Sequence, residues 1–162
     1  MLKSIVINTG PIISLIASDQ NLKFMESLYS NIEVVNEIIE GGKSGFGIEY
    51  FRGCDFFTKE KQKVELTPHL KNSLDPGEAS LVQLAITRDI ETVCIDEPAG
   101  RRIARLYNLD VTGSLGILLK AISQGYDISI REAINNMQNK GIYISENLAD
   151  KVIKKADKFN NR

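Results

Sequence analysis

A single histidine and two cysteines leave this 162-residue chain short of nitrogen and sulfur ligands. His69 follows Pro68 in an expected loop with no nucleophile beside it, so it reads as a surface residue, and histidine-ligated metal sites are excluded. Cys54 and Cys94 lack metal-ligand spacing. Cys94 lies in an apolar run and is expected as a buried free thiol in a reducing compartment. A charge bias is lacking too, since 20 basic residues face 21 acidic ones for a formal net charge of −1. That balance argues against a general basic coat for nucleic acid, but it allows a local basic groove around an acidic centre. No apolar stretch approaches the ~18 residues of a membrane span, and no signal-peptide cleavage pattern follows the opening MLKSIVINTGPIISLIAS. The expected location is the cytoplasm. No G-x-G-x-x-G occurs, and although Gly42-Lys43-Ser44 imitates the end of a phosphate-binding loop, Glu37 stands where that loop needs its first glycine.

What is present is an apolar content of 43%, enough for the core of one domain. Short apolar runs alternate with helical periods. Strands are expected at Ser4 to Ile7, Ile32 to Val35, Lys63 to Leu66, Glu91 to Ile95 and Asp110 to Thr112. Helices are expected after Thr9-Gly10-Pro11 to Ala17, at Leu22 to Tyr29, Glu37 to Glu40, Pro76 to Asp89, Pro98 to Tyr107 and Ser114 to Ser123, with the glycine-rich Gly41 to Gly53 left as loop or broken helix. Asp75 and Pro76 suit the N-cap and first position of the clearest helix. This alternation implies an α/β fold with a central parallel sheet and right-handed crossovers. The last 35 or so residues are amphipathic and helical, with Ile142 to Ile144 between two helices. The division expected is therefore a domain over 1–124 and a helical extension over 125–162.

In an open parallel sheet, ligands bind beyond the carboxyl ends of the strands. Those ends supply Asn8 after the first strand and Asp96 after the run Thr92-Val93-Cys94-Ile95, and the second strand leads almost directly into Glu37. Asp96 reads equally as the N-cap of the helix that follows. Glu78 falls near the middle of the stripe Leu81, Val82, Ala85 and Ile86, opposite Ser80, Gln83 and Thr87, and a carboxylate placed inward is costly without a partner. Its alternative is a capping box with Asp75. Glu37 is equally read as a solvated surface residue, with Glu40 an available substitute. Thr112-Gly113-Ser114 opens a helix whose free N–H groups suit a phosphate oxygen or an ordinary cap. Arg101 and Arg105, four apart after Asp96, are placed to track phosphates or form a solvated face. Lys151, Lys154, Lys155 and Lys158 make the polar side of the last helix basic, while Leu148, Val152, Ala156 and Phe159 form an apolar stripe that packs on the domain or meets a partner or second copy.

In order along the chain, VINTGPIISLIA, VVNEIIEGG, LDPGEASLVQLA, VCIDEPAGRRIA and VTGSLGILL resemble the PIN-domain proteins, specifically the bacterial and archaeal group described as predicted nucleic-acid-binding proteins. The resemblance spans about Ser4 to Ile122 and extends to the amphipathic tail. It implies a three-layer PIN-like fold and a metal-dependent ribonuclease, with VapC-type toxins restrained by a partner antitoxin among its relatives. It also implies an acidic quartet at Asn8, Glu37, Glu78 and Asp96 holding Mg2+ or Mn2+, a supporting hydroxyl at Thr112 with Ser114 close behind, and RNA as substrate. Arg101, Arg105 and Ser114 are the expected substrate contacts. Asn8 departs from the family pattern, which has aspartate there, and raises the alternative of a catalytically weakened module that binds nucleic acid or protein. A homodimer is a further partner to consider, and no membrane is expected.

Overall fold

The computed structural model describes residues 1–35, 47–60 and 62–162. Its first strand, β1 (Lys3–Ile7), is an isoleucine- and valine-rich run whose last three residues are fully buried. Such a run without polar alternation suits a parallel strand covered on both faces. Strand β2 (Tyr29–Val34) lies on one side of β1, with β3 (Phe57–Lys59) outside it; β4 (Thr92–Cys94) lies on the other side, followed by β5 (Asp110–Thr112). All four pairings are parallel, in the order β3-β2-β1-β4-β5. The order reverses at β1, so the carboxyl ends of β1 and β4 flank the crevice where such sheets bind ligands.

Successive side chains of a strand point to opposite faces, and β1 seeds two cores in this way. Ile5 and Ile7 join the larger one with Leu15 of α1 (Thr9–Ala17), Leu28 of α2 (Met25–Leu28), Phe51 of α3 (Ile48–Gly53) and Leu118 of α7 (Ser114–Ser123). Ile134 of α8 (Ile130–Asn139) and Val152 and Ala156 of α9 (Glu146–Asn160) belong to that same core. Val6 joins the second with Leu70 of α4 (Pro68–Ser73), Leu81 and Val82 of α5 (Pro76–Thr87) and Ala104 of α6 (Pro98–Leu106). The result is the expected three-layer α/β arrangement with helices on both faces. Among the described residues, no helix is long and apolar enough to cross a membrane.

Three local expectations need correction. Lys63 to Leu66 is not a strand; the edge of β2 is taken by Phe57–Lys59, whose Phe57 packs on Phe51 and Phe56, while Val64 and Leu66 lie against the second core without a ladder. The helix expected over Leu22 to Tyr29 is a 3-10 turn (Leu22–Phe24) followed by the single-turn α2, because Tyr29 already has extended backbone and pairs with Lys3 in the sheet. On α5, Ser80 is buried and Ile86 is exposed, because the helix packs against the sheet, α4 and α6 and its buried arc is wider than the apolar stripe. The helix expected over Glu37 to Glu40 and the Gly41 to Phe46 part of the glycine-rich segment lie outside the described residues.

Candidate functional site

Asn8 follows β1 directly and is the N-cap of α1, its Oδ1 accepting from the Thr9 N–H at 2.9 Å. Its own N–H donates to the Cys94 carbonyl at 3.2 Å, tying the ends of β1 and β4 together. Two residues beyond Cys94 comes Asp96, which is exposed. It does not cap the helix after it: Glu97 is the N-cap of α6, without a side-chain hydrogen bond. Asp96 instead reaches across to α7, where its Oδ1 accepts from the Ser114 N–H at 2.8 Å and its Oδ2 from the Ser114 hydroxyl at 2.9 Å. A carboxylate at a helix N-terminus also meets the positive end of the helix dipole. Gly113 makes the approach possible, since a Cβ there would lie 2.7 Å from Asp96 Oδ1 and 3.1 Å from Arg101 Nη1.

Glu78 sits on the first turn of α5. Asp75 caps that helix, accepting from the Glu78 N–H at 2.9 Å. The Glu78 side chain is 4% exposed, and its buried Oε1 has no hydrogen-bond partner among the described residues. Burial, then the neighbouring Asp75 and Glu97 carboxylates, and lastly a hydrogen bond with Asp75 push its pKa up to about 7. The space is tight: a Cβ on Gly100 of α6 would lie 2.9 Å from the Glu78 carboxyl carbon. The same turn of α5 abuts the end of β1, where a Cβ on Gly77 would stand 3.7 Å from Asn8 Oδ1.

The other expected residues collect around this edge. Thr112 ends β5, its Oγ1 only 2.4 Å from where a Cβ on Gly116 would be. Half-buried Arg101 donates from Nη1 to the Ile95 carbonyl at 2.8 Å, and exposed Arg105 lies one turn further along α6. Asn8, Asp96, Thr112, Ser114, Arg101 and Arg105 all line one groove of about 1150 Å3. Glu78 is not among the residues that line it, and Glu37 falls outside the described residues. Both donors of Ser114 are engaged by Asp96, so its observed place is that of a support for the carboxylate rather than an open phosphate contact. The Asp-x-x-Glu spacing signals the pairing of Asp75 with Glu78, whereas nothing local in the sequence announces the influence of Glu97.

A family model described as a PIN domain matches residues 4–158. The chain belongs to the PIN-domain family. No curated protein and no solved structure matches it. The matched span runs through α8 and most of α9, further than the sequence motifs reach. A PIN domain has a nuclease-type fold, suggests nucleic-acid binding and is generally dependent on a divalent metal. Among the described residues of this PIN domain, no group of three or more His, Cys, Asp or Glu side chains is gathered as a metal ion would need. The donors present are nevertheless of the right kind. Asn8, Glu78 and Asp96 offer only oxygen, as hard divalent cations require, and the orphaned Glu78 carboxyl is a group that a nearby cation would stabilise.

Proposed function

We propose that this PIN domain is a Mg2+- or Mn2+-dependent endoribonuclease hydrolysing RNA phosphodiester bonds. The observation that carries the reading is Glu78, a buried carboxyl with no partner for Oε1, set beside the sheet edge where Asn8 and Asp96 end their strands. A buried carboxyl oxygen without a partner is costly, and its place beside a sheet edge of the kind where ligands bind supports a functional role. Asp96 and Glu78 would be the charged ligands and Asn8 a neutral one, with Glu37 carried over from the family pattern. When bound, the ion would lower the pKa of an attacking water and stabilise the charge developing at phosphorus. The chain's own residues do the positioning. Ser114 fixes both oxygens of Asp96, Thr112 supports the same edge, and Arg101 and Arg105 present cations to the substrate backbone. In this reading residues 1–124 carry the chemistry, and residues 125–162 complete the larger core and add α9 to the wall of the groove. The setting of a toxin held by an antitoxin belongs to the same proposal.

A second reading, a module that binds without cleaving, is favoured by the neutral Asn8. One experiment separates the two. Pure protein is incubated with mixed single-stranded RNAs in Mn2+ or in chelator, as wild type, Asp96→Asn, Glu78→Gln and Asn8→Asp. The ribonuclease reading expects cleavage by wild type that stops on chelation and in Asp96→Asn. Cleavage surviving either change sinks the metal mechanism, whereas activity confined to Asn8→Asp favours the binding module.

A further inference from the structure

The groove that begins at Asn8 and Asp96 continues along α9. Its walls carry six cationic side chains, Arg101 and Arg105 from α6 and Lys151, Lys154, Lys155 and Lys158 from α9, against two carboxylates, Asp96 and Glu97. In a chain whose net charge is −1, this is a strong local excess. The four lysines are exposed, and among the described residues none forms an ion pair, although Asp150 and Asp157 share their helix. Lys151 and Lys158 are two helical turns apart, a row of roughly 10 Å. Where α8 turns into α9, Tyr143 also lines the groove, and it is 90% exposed. Such exposure leaves an aromatic face uncovered beside a row of cations. At about 1150 Å3 the groove exceeds the roughly 300–1,000 Å3 of small-ligand pockets, which suits a polymer.

We propose that the α9 lysines and Tyr143 form a single-stranded RNA track leading to the Asp96 edge, the lysines following the phosphates and Tyr143 stacking on an unpaired base. Cationic grooves with aromatic platforms bind single strands in this way, and a duplex keeps its bases stacked away from such a ring. The inference rests on the groove being the substrate's path, but it concerns binding and is tested without turnover.

The test is a fluorescence-anisotropy titration of a mixed-sequence single-stranded RNA in chelator, across a salt series. The variants are Lys154→Gln/Lys158→Gln, Tyr143→Ala, Tyr143→Phe and, away from the groove, Lys23→Gln/Lys71→Gln. Circular dichroism establishes that each is folded. The expected results for Lys154→Gln/Lys158→Gln are an affinity loss of about tenfold or more near 0.1 M salt and a log–log salt slope shallower by about 1.4. Tyr143→Ala is expected to lose at least about fivefold, with Tyr143→Phe near wild type. The control pair is expected to stay within about twofold. Equal losses in both lysine pairs, unchanged binding by Tyr143→Ala, equal affinity for the matching duplex, or equal displacement by polyglutamate would each overturn the track. RNA binding with these dependences but no cleavage in Mn2+ upholds the track while the ribonuclease reading falls. Cleavage in Mn2+ at wild-type efficiency by the groove-lysine variant does the reverse.

Discussion

Ser114 holds both oxygens of Asp96, one with its backbone N–H at 2.8 Å and the other with its hydroxyl at 2.9 Å. Residues 18 apart in sequence thereby act as one unit, fixing the carboxylate at the end of β4 against the start of α7. Ser114→Ala keeps the N–H contact and loses the hydroxyl. A charge-assisted hydrogen bond of this kind contributes about 1.5–3 kcal/mol, and urea unfolding is expected to read a loss in that range. Calorimetric titration with Mn2+ is expected to read about tenfold weaker binding, since an orienting partner of a metal ligand typically counts for that much. An unchanged Mn2+ affinity would remove Asp96 from the ligand set.

Glu78 gives the stability of the metal-free protein an uncommon pH dependence. Its folded pKa, about 7, lies above the ordinary carboxyl value of 4.5. The folded state therefore binds more protons than the unfolded state between these values, and stability falls as pH rises through the window. The loss levels off about one unit above pH 7 and amounts to at most roughly 3–4 kcal/mol. Thermal unfolding in chelator is expected to give a lower Tm at pH 8 than at pH 5, with the Glu78→Gln variant losing much of that difference. A wild-type Tm that rises across this window, with Glu78→Gln following the same curve, would contradict the assignment.

Gly100 allows α6 to pass over the Glu78 carboxyl. Gly100→Ala would place its methyl 2.9 Å from Glu78 Cδ and Oε1 and 3.0 Å from Ile95 Cγ2. Overpacking of a filled interior costs about 1–3 kcal/mol. Urea denaturation is expected to read a loss of that size, and the double variant Gly100→Ala/Glu78→Ala is expected to recover part of it. No recovery in the double variant would place the strain at Ile95 instead.

Asn8→Asp adds a charge without costing the cap, because aspartate and asparagine are nearly equal at an N-cap. In chelator the variant is expected to unfold within about 1 kcal/mol of wild type by the same reasoning. In Mn2+ it is expected to gain more thermal stability than wild type does, as a carboxylate ligand should. Equal gains in differential scanning calorimetry would show that position 8 does not meet the ion.

The layers of this fold were legible because its strands are short apolar runs and its helices carry caps. Asp75-Pro76 marked the start of α5, and Ile5, Val6 and Ile7 marked a strand, which the structure buries on both faces. The inward Glu78 was legible from the 100° stripe, although the same stripe misplaced Ser80 and Ile86 because a helix packed on three sides buries more than its apolar arc. Phe57–Lys59 escaped notice because three residues carry no period, whereas Lys63 to Leu66 alternates like a strand without finding an edge to join. The partner of Asp96 was illegible for a different reason. Local signals pointed to the adjacent helix, and only the packing of β5 and α7 beside β4 brings Ser114 within reach.

The hydrogen bond from Asn8 to Cys94 has a consequence for the order in which this edge comes into being. As a chain leaves the ribosome, Asn8 waits for more than half of the sequence before β4 exists to receive it. Asp96 then waits for Ser114, and the helix bearing Lys151 and Lys158 comes later still. A nascent or clipped fragment ending before α7 thus carries every sheet-edge donor but lacks the clasp that sets Asp96, so under the proposed function the edge is assembled only once α7 has been made.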